Sequence, residues 1–175
     1  DKLCSKSEKQ KVVAIGVAGQ MHGLVMLDKN DDVIRPAILW NDGRSSKETD
    51  SLNKNKKELL ESTANIAFAG FTAPKILWVR ENERENFDRC EKIMLPKDYI
   101  NYKLTGVHAS DMSDASGLLL LDVKNRCYSE RMLEICSLKK RQLPRLFESY
   151  ENIGTLLQGV AKELGLNEGV VVAAG

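Results

Sequence analysis

The chain has 175 residues, of which 42% are hydrophobic and 29% are charged, values typical of a folded globular protein and not of a disordered or fibrous one. Its 26 Lys and Arg residues nearly cancel its 25 Asp and Glu residues, which argues against a nucleic-acid partner and against a cationic partner. No apolar run approaches the ~20 residues that cross a bilayer, and the first residues lack the apolar core of a signal peptide, so we expect a cytoplasmic protein with no membrane association.

The first third of the chain predicts strands joined by turns, followed by a helix. A run rich in Val and Ile predicts a buried strand over residues 11–18. Two apolar runs around a polar turn predict a hairpin over residues 24–35, and a short apolar strand is expected over residues 38–40. Residues 45–63 are mostly charged with sparse apolar positions, which predicts a surface helix.

The rest of the chain alternates helices with strands. Pro74 favours the first turn of a helix that continues through Glu85, and a second helix is expected to begin at Pro96 and to end at Gly106. The inward face of this second helix is predicted to consist of Tyr99, Ile100, Tyr102 and Leu104. Other expected elements are strands over 92–95, 118–123 and 169–175, a helix capped by Ser129, and a helix over 156–164. This alternation, without internal repeats, predicts an α/β fold.

The cysteines do not suggest a metal site or a disulfide framework. Cys4, Cys90, Cys127 and Cys136 are scattered, and none belongs to a Cys-x-x-Cys pair. Only two histidines could add imidazole ligands. We therefore predict reduced thiols and no zinc site.

The most informative stretch is Gly16-Val17-Ala18-Gly19-Gln20-Met21-His22-Gly23, which lies between two apolar runs. Small residues let the backbone turn sharply there, at a strand end, where α/β proteins tend to bind ligands. The glycine spacing differs from the G-x-G-x-x-G of dinucleotide-binding folds, and the next segment is strand-like. The sequence also contains no P-loop, and residues 114–117 lack the first glycine of a nucleophile elbow.

Each candidate site residue has a structural alternative. His22 either satisfies a structural hydrogen bond or offers one donor and one acceptor to a pair of sugar hydroxyls, and the neighbouring glycines favour the sugar. Met21 would supply an adaptable apolar wall. Trp40 is either a core residue or a flat surface for a sugar. Asn41 and Asp42 either bind hydroxyls or shape their loop.

Polar residues later in the chain have two interpretations as well. Asp98 is expected to cap a helix start, and Lys97 has a position in the cleft as its alternative. The polar residues of 111–114 are interpreted as a turn held by side chain to backbone hydrogen bonds, with a catalytic role as the alternative. Trp78 is expected to pack in the interior.

Five stretches occur in an order and at separations that resemble the xylulose-phosphorylating members of the FGGY carbohydrate kinase family. They are residues 16–23, 38–44, 71–75, 95–99 and 110–117. The resemblance extends from about Val12 to Gly175 and implies a ribonuclease-H-like, actin-like ATPase domain that is incomplete in this chain. It implies that Met21 and His22 contact the sugar and that Trp40 lines the sugar pocket.

The resemblance further implies that a parent protein transfers the γ-phosphoryl group of ATP to D-xylulose, with Mg²⁺ offsetting phosphate charge. The catalytic aspartate is expected in a turn just beyond Gly175, an Asp-x-Gly-Thr phosphate hairpin before Asp1, and the ATP-binding domain outside the chain. No catalytic residue, cofactor or metal is therefore expected on these 175 residues.

Two features of the ends agree with a partial domain, since residue 1 is not Met and an apolar strand-like run reaches the last residue. We therefore expect a fragment of the kinase N-terminal domain that is inactive by itself. The alternatives are a kinase for a related ketose or polyol, such as ribulose or glycerol, and a non-catalytic sugar-binding module. A homodimer is left open.

Overall fold

The computed structural model describes residues 5–175, so Cys4 lies outside the described residues. The helices are α1 (Lys6–Lys9), α2 (Ser46–Asn53), α3 (Lys56–Thr63), α4 (Thr72–Asn82), α5 (Arg84–Arg89), α6 (Pro96–Thr105), α7 (Met112–Ser116), α8 (Glu130–Cys136) and α9 (Gln158–Leu164). The strands are β1 (Ala14–Ile15), β2 (Val25–Leu27), β3 (Lys92–Met94), β4 (Ala109–Asp111), β5 (Leu121–Asp122), β6 (Cys127–Tyr128), β7 (Arg145–Phe147), β8 (Asn152–Thr155) and β9 (Val171–Ala173).

The strands form four small sheets. In the three-stranded sheet β9 is central, parallel to β1 and antiparallel to β8. β4 and β7 form a parallel pair, whereas β2–β3 and β5–β6 are antiparallel pairs. Helices and parallel strands together confirm the predicted α/β class.

The larger hydrophobic core surrounds α4, whose residues are apolar on nearly every side. Ala73, Ile76 and Val79 of this helix are fully buried. The backbone N–H of Ala73 donates to the carbonyl of Leu118, which ties the helix to the buried segment before β5. A second core packs β8 and β9 against α9. Within residues 5–175, no helix is long and apolar enough to cross a membrane.

Several sequence predictions are confirmed. α6 begins at Pro96 and ends at Gly106, which adopts the left-handed conformation with φ 74°. The Ser129 hydroxyl accepts from the backbone N–H of Met132 and so caps α8. The thiols of Cys90 and Cys136 are free and buried, and burial raises the pKa of each to about 12.

Other predictions need correction. The strand expected over residues 11–18 is regular only at Ala14–Ile15, and it is not buried, because β1 pairs with β9 alone among the described residues. The single helix expected over residues 45–63 is broken at Lys54–Asn55 into α2 and α3. The apolar run 118–123 is extended only over its last residues, where it forms β5, because residues 118 and 119 lie in a tight turn after α7.

The inward face of α6 also differs from the prediction. Tyr99, Tyr102 and Leu104 pack half-buried against the cores, as predicted, but Ile100 is 46% exposed. The buried positions are Lys97, Asp98, Asn101 and Thr105. These polar side chains are buried because Lys97 and Asp98 pair with each other and because Lys97 and Asn101 donate to the backbone at the end of β9. An apolar pattern alone could not reveal such a polar face.

Candidate functional site

The carboxyl ends of four strands open onto one cavity of about 690 Å³. Gly16 follows β1, Gly175 follows β9, Ser149 follows β7, and Asp111 ends β4, and all four residues line the cavity. The volume lies within the roughly 300–1,000 Å³ of typical small-molecule sites. Because open α/β folds bind ligands outside the carboxyl ends of their parallel strands, this cavity is the candidate functional site.

His22 is half-buried in the wall of the cavity, as the sequence interpretation required. Its backbone has φ 62°, a left-handed conformation that is uncommon for a residue with a side chain. The imidazole packs against the backbone of Gly117, where an added Cβ would lie 2.3 Å from both Cε1 and Nδ1. The Nδ1 atom is enclosed and has no hydrogen-bond partner within the described part of the chain. Nδ1 is therefore held against the backbone of Gly117 and is closed to a ligand.

Burial keeps the His22 ring neutral at physiological pH. Loss of solvent lowers the pKa of His22, the backbone of Gly117 opposes this, and the positive charge of Lys75 adds to the lowering. A neutral imidazole carries one donor and one acceptor. Because Nδ1 is enclosed against Gly117, the other ring nitrogen is the one left to hydrogen-bond a hydroxyl group of a polyol, and the ring does so without carrying a charge.

Apolar side chains complete this part of the wall. Phe71 lines the cavity, and its ring lies 4.7 Å from the imidazole of His22, between ring centroids. Met21 also lines it and is 56% exposed. An aromatic face and a flexible thioether suit the C–H side of a sugar, and an imidazole suits a hydroxyl group.

The floor of the cavity contains a buried ionic network centred on Lys97. The Lys97 Nζ lies 2.9 Å from a carboxylate oxygen of Asp98, 2.9 Å from one of Asp111, and 2.7 Å from the carbonyl of Ala174. Close packing holds it in place, since a Cβ on Gly19 would be 3.2 Å from the Lys97 Cβ. Lys97 thus joins the start of α6, the end of β4 and the end of β9, and its predicted alternative position beside the cleft is confirmed.

The carboxylates of this network differ in their proton affinity. Burial raises the pKa of Asp98, against the charge and hydrogen bond of Lys97. Burial also disfavours the ionised Asp111, but hydrogen bonds from Ser149 and Lys97 outweigh it and lower the pKa. Burial raises the pKa of Asp114 to about 6, and the negative charges of Asp98 and Asp111 add to this effect.

The side chain to backbone hydrogen bonds predicted at residues 111–114 are present, but they cap a helix, α7, and the predicted turn is wrong. Asp111 caps α7 by accepting from the backbone N–H groups of Ser113 and Asp114 at 3.1 and 3.3 Å. Asp98 likewise accepts from the backbone N–H of Leu95 at the start of α6. Asp114 has a further feature that the cap does not explain, because it faces the cavity with a proton affinity higher than usual.

Trp40, Asn41 and Asp42 are not part of the cavity lining. Trp40 is 54% exposed, so it is not a core residue, and Asn41 is exposed as well. The carboxylate of Asp42 is bound by Arg44, whose Nε lies 2.9 Å from it and whose backbone N–H lies 3.0 Å from it. This contact favours the loop-shaping alternative for Asp42. The Arg44 guanidinium also covers the ring of Trp78, which packs half-buried against the core.

Sequence reasoning did not single out several residues of the site. Phe71 and Asn65 line the cavity from the segment that connects α3 to α4. Ser149 also lines the cavity and follows β7, a strand that was not predicted. Lys75 was quoted only as part of a motif, although its side chain is fully buried beneath His22. Within residues 5–175, no group of three or more His, Cys, Asp or Glu side chains could hold a metal ion.

The chain matches a known family over its whole length. The model of the FGGY family of carbohydrate kinases, N-terminal domain, matches residues 1–175. Xylulose kinase of Escherichia coli (strain K12) is 48% identical over 166 residues, which are 95% of this chain and 34% of that protein. This chain therefore spans about a third of the length of that relative.

Solved structures agree with this match. A xylulose kinase from Brucella ovis is 43% identical and superimposes with a TM-score of 0.88, covering 94% of this chain and 33% of that chain. A gluconate kinase from Lactobacillus acidophilus is 26% identical, also with a TM-score of 0.88, covering 93% and 34%. The predicted ribonuclease-H-like, actin-like ATPase architecture is thereby confirmed for this part of the fold.

Proposed function

Because this chain belongs to the FGGY family of carbohydrate kinases, we propose that it is the sugar-binding part of an ATP-dependent xylulose kinase. The observation that carries the proposal is the cavity at four strand ends, where an unpaired imidazole lies beside an aromatic ring. The similarity to the xylulose kinase of Escherichia coli supports D-xylulose as the sugar. The complete gene product then converts D-xylulose and ATP to D-xylulose 5-phosphate and ADP in the cytoplasm.

His22 and Met21 orient the sugar in this scheme. The neutral imidazole hydrogen-bonds a hydroxyl group, while Met21 and Phe71 contact the C–H face. Correct placement of the terminal hydroxyl matters, because phosphoryl transfer depends chiefly on positioning and charge stabilisation. The loop of Trp40, Asn41 and Asp42 lies outside the cavity lining. Contact between these three residues and the sugar therefore stays a prediction.

The reactive groups of the proposal lie outside these residues. We infer that the proton-accepting aspartate belongs to a turn after Gly175, and this is supported by the position of Gly175 in the cavity lining after β9. ATP and Mg²⁺ belong to the complete protein.

A substrate comparison tests the proposal on the complete gene product. We expect efficient ATP-dependent phosphorylation of D-xylulose and much weaker phosphorylation of ribulose, glycerol and gluconate. If the protein phosphorylates ribulose, glycerol or gluconate more efficiently than D-xylulose, D-xylulose is not its substrate. Binding of D-xylulose without any phosphorylation would support the non-catalytic sugar-binding module instead.

The role of His22 is tested by His22→Ala, which should lower kcat/KM for D-xylulose by about 5- to 150-fold, since an unpaired polar contact costs roughly 1–3 kcal/mol. His108→Ala is the matched control, because His108 contacts the carbonyl of Ile93 and does not line the cavity. It should lower stability and leave KM for D-xylulose unchanged. An unchanged kcat/KM in His22→Ala would refute the assignment of His22.

A further inference from the structure

Lys75 is a fully buried lysine that lies directly beneath the sugar-binding turn. It belongs to the opening turn of α4, and its side chain points toward residues 16–23. The Nζ donates to the carbonyl of His22 at 2.8 Å and to the carbonyl of Gly70 at 2.6 Å. Within residues 5–175, no carboxylate lies within ion-pair distance of it, and Asp42 acts on it only through space.

Burial of the Lys75 ammonium group is energetically unfavourable unless its hydrogen bonds to the two carbonyl groups contribute to function. Burial of a charge without a counter-ion is costly, and it lowers the pKa of Lys75 to about 8. The N-terminal turn of a helix also disfavours a positive charge. The neighbours Ile76 and Leu77 show that the surroundings suit apolar side chains, so a methionine would fill the same volume at lower cost.

The carbonyl that Lys75 holds belongs to His22, whose conformation is constrained in two ways. His22 has a left-handed backbone, and its carbonyl also accepts from the Thr72 hydroxyl at 3.1 Å. Two donors from the same helical turn thus fix one carbonyl. With the backbone fixed in this way, the imidazole is directed against Gly117 and toward the cavity.

We propose that Lys75 is a positioning residue, whose ammonium group holds the His22 carbonyl and so fixes the backbone that presents the imidazole to the sugar. The effect on sugar use rests on the proposed function, whereas the effect on the backbone does not. Lys75 does not line the cavity, so it acts on the sugar through the residues that it positions, chiefly His22.

A double-mutant cycle on the complete gene product tests the link between Lys75 and His22. Lys75→Met keeps the apolar stem and removes the ammonium group, and it should lower kcat/KM for D-xylulose about tenfold or more. The KM for ATP should stay unchanged. In the His22→Ala background, Lys75→Met should cause almost no further loss, because the residue through which it acts is gone.

Two matched controls accompany the cycle. Lys92→Met removes a lysine that pairs with Asp31 away from the cavity, and it should leave kcat/KM unchanged. If Lys75→Met does not fold, Thr72→Val removes the second donor to the same carbonyl, and Thr72→Ser retains it. Thr72→Val should lower kcat/KM for D-xylulose, whereas Thr72→Ser should keep it near the value of the unmutated protein.

Amide hydrogen exchange tests the backbone effect without any substrate. In Lys75→Met, or in Thr72→Val, peptides covering residues 20–24 should exchange faster, while peptides covering β2 and β3 should be unchanged. Faster exchange with no xylulose phosphorylation by the unmutated protein would retain the positioning role and refute the proposed function. Unchanged exchange at residues 20–24, or losses in kcat/KM that multiply in the double variant, would overturn the positioning role.

Discussion

Substitution of Gly117 by alanine should remove His22 from the cavity without unfolding the protein. Gly117 has a right-handed backbone, φ −77° and ψ −8°, which alanine adopts without strain. The added Cβ would lie 2.3 Å from two atoms of the His22 ring, far below the ~3.5–4.0 Å of favourable contact between heavy atoms. The other close atom, the carbonyl oxygen of Asp114, is 3.4 Å away. The ring must therefore move, and the backbone of α7 need not.

The size of the effect follows from the hydrogen bonds that the displaced ring loses. Loss of polar contacts to a bound sugar costs roughly 1–3 kcal/mol, which corresponds to a drop of about 5- to 150-fold in kcat/KM. The assay is steady-state phosphorylation of D-xylulose by the complete gene product, with the melting temperature measured in parallel.

Gly159→Ala is the matched control for this prediction. Gly159 lies in α9, and nothing lies within 4 Å of its added Cβ. This change should raise stability by about 0.5–1 kcal/mol and leave KM unchanged. The reasoning is refuted if Gly117→Ala folds like the unmutated protein and binds D-xylulose equally well.

Three further predictions concern stability. Lys97→Met leaves buried carboxylates unpaired and should cost about 3–5 kcal/mol, measured by urea unfolding. Asp114 has a folded-state pKa of about 6, raised by burial, so its folded form binds the proton that the unfolded chain has already lost above pH ~4. Stability should therefore fall as the pH rises from about 4 to 6, and Asp114→Asn should remove this part of the slope. Ser129→Ala removes the cap of α8 and should cost about 1 kcal/mol in thermal unfolding.

Each of these predictions has a result that would contradict it. A loss below about 1 kcal/mol in Lys97→Met would mean that the ionic network contributes no more than a surface pair. Identical pH slopes in Asp114→Asn and the unmutated protein would show that Asp114 titrates normally. For Ser129, Ser129→Thr should retain most of the stability, and equal losses in both variants would rule out the cap.

The sequence was sufficient for the elements that local chemistry determines. Pro96, Gly106 and Ser129 mark helix ends through backbone geometry and capping, and these effects need only a few neighbouring residues. The turn at residues 16–23 was identified because small residues interrupt two apolar runs. Close packing requires glycine at position 23, since a Cβ there would lie 2.5 Å from the ring of Pro96.

The strands that were missed depend on tertiary contacts. β4 and β7 are three residues long, and a serine, an aspartate and an arginine are among their six residues. Their parallel pairing across more than thirty residues of sequence leaves no periodic signal. Ser149 could not be placed at the site without β7, and Asp111 was recognised only as part of a turn.

The buried lysines show a different limit. Lysine side chains are normally exposed, yet Lys97 is only 4% exposed and Lys75 is 0% exposed. A signal was present for Lys75, because residues 73–79 are apolar on nearly every side, and a helix of that kind is surrounded by protein. Their partners are three backbone carbonyls and two carboxylates. The carbonyls of His22 and Ala174 and the carboxylate of Asp111 come from distant segments that only the fold brings together.

The most direct test of the central claim is a crystal structure of the complete gene product with D-xylulose. We expect the sugar in the cavity at the ends of β1, β4, β7 and β9, with a ring nitrogen of His22 within hydrogen-bond distance of a sugar hydroxyl. A sugar bound elsewhere, or bound in the cavity with His22 turned away from it, would contradict the account.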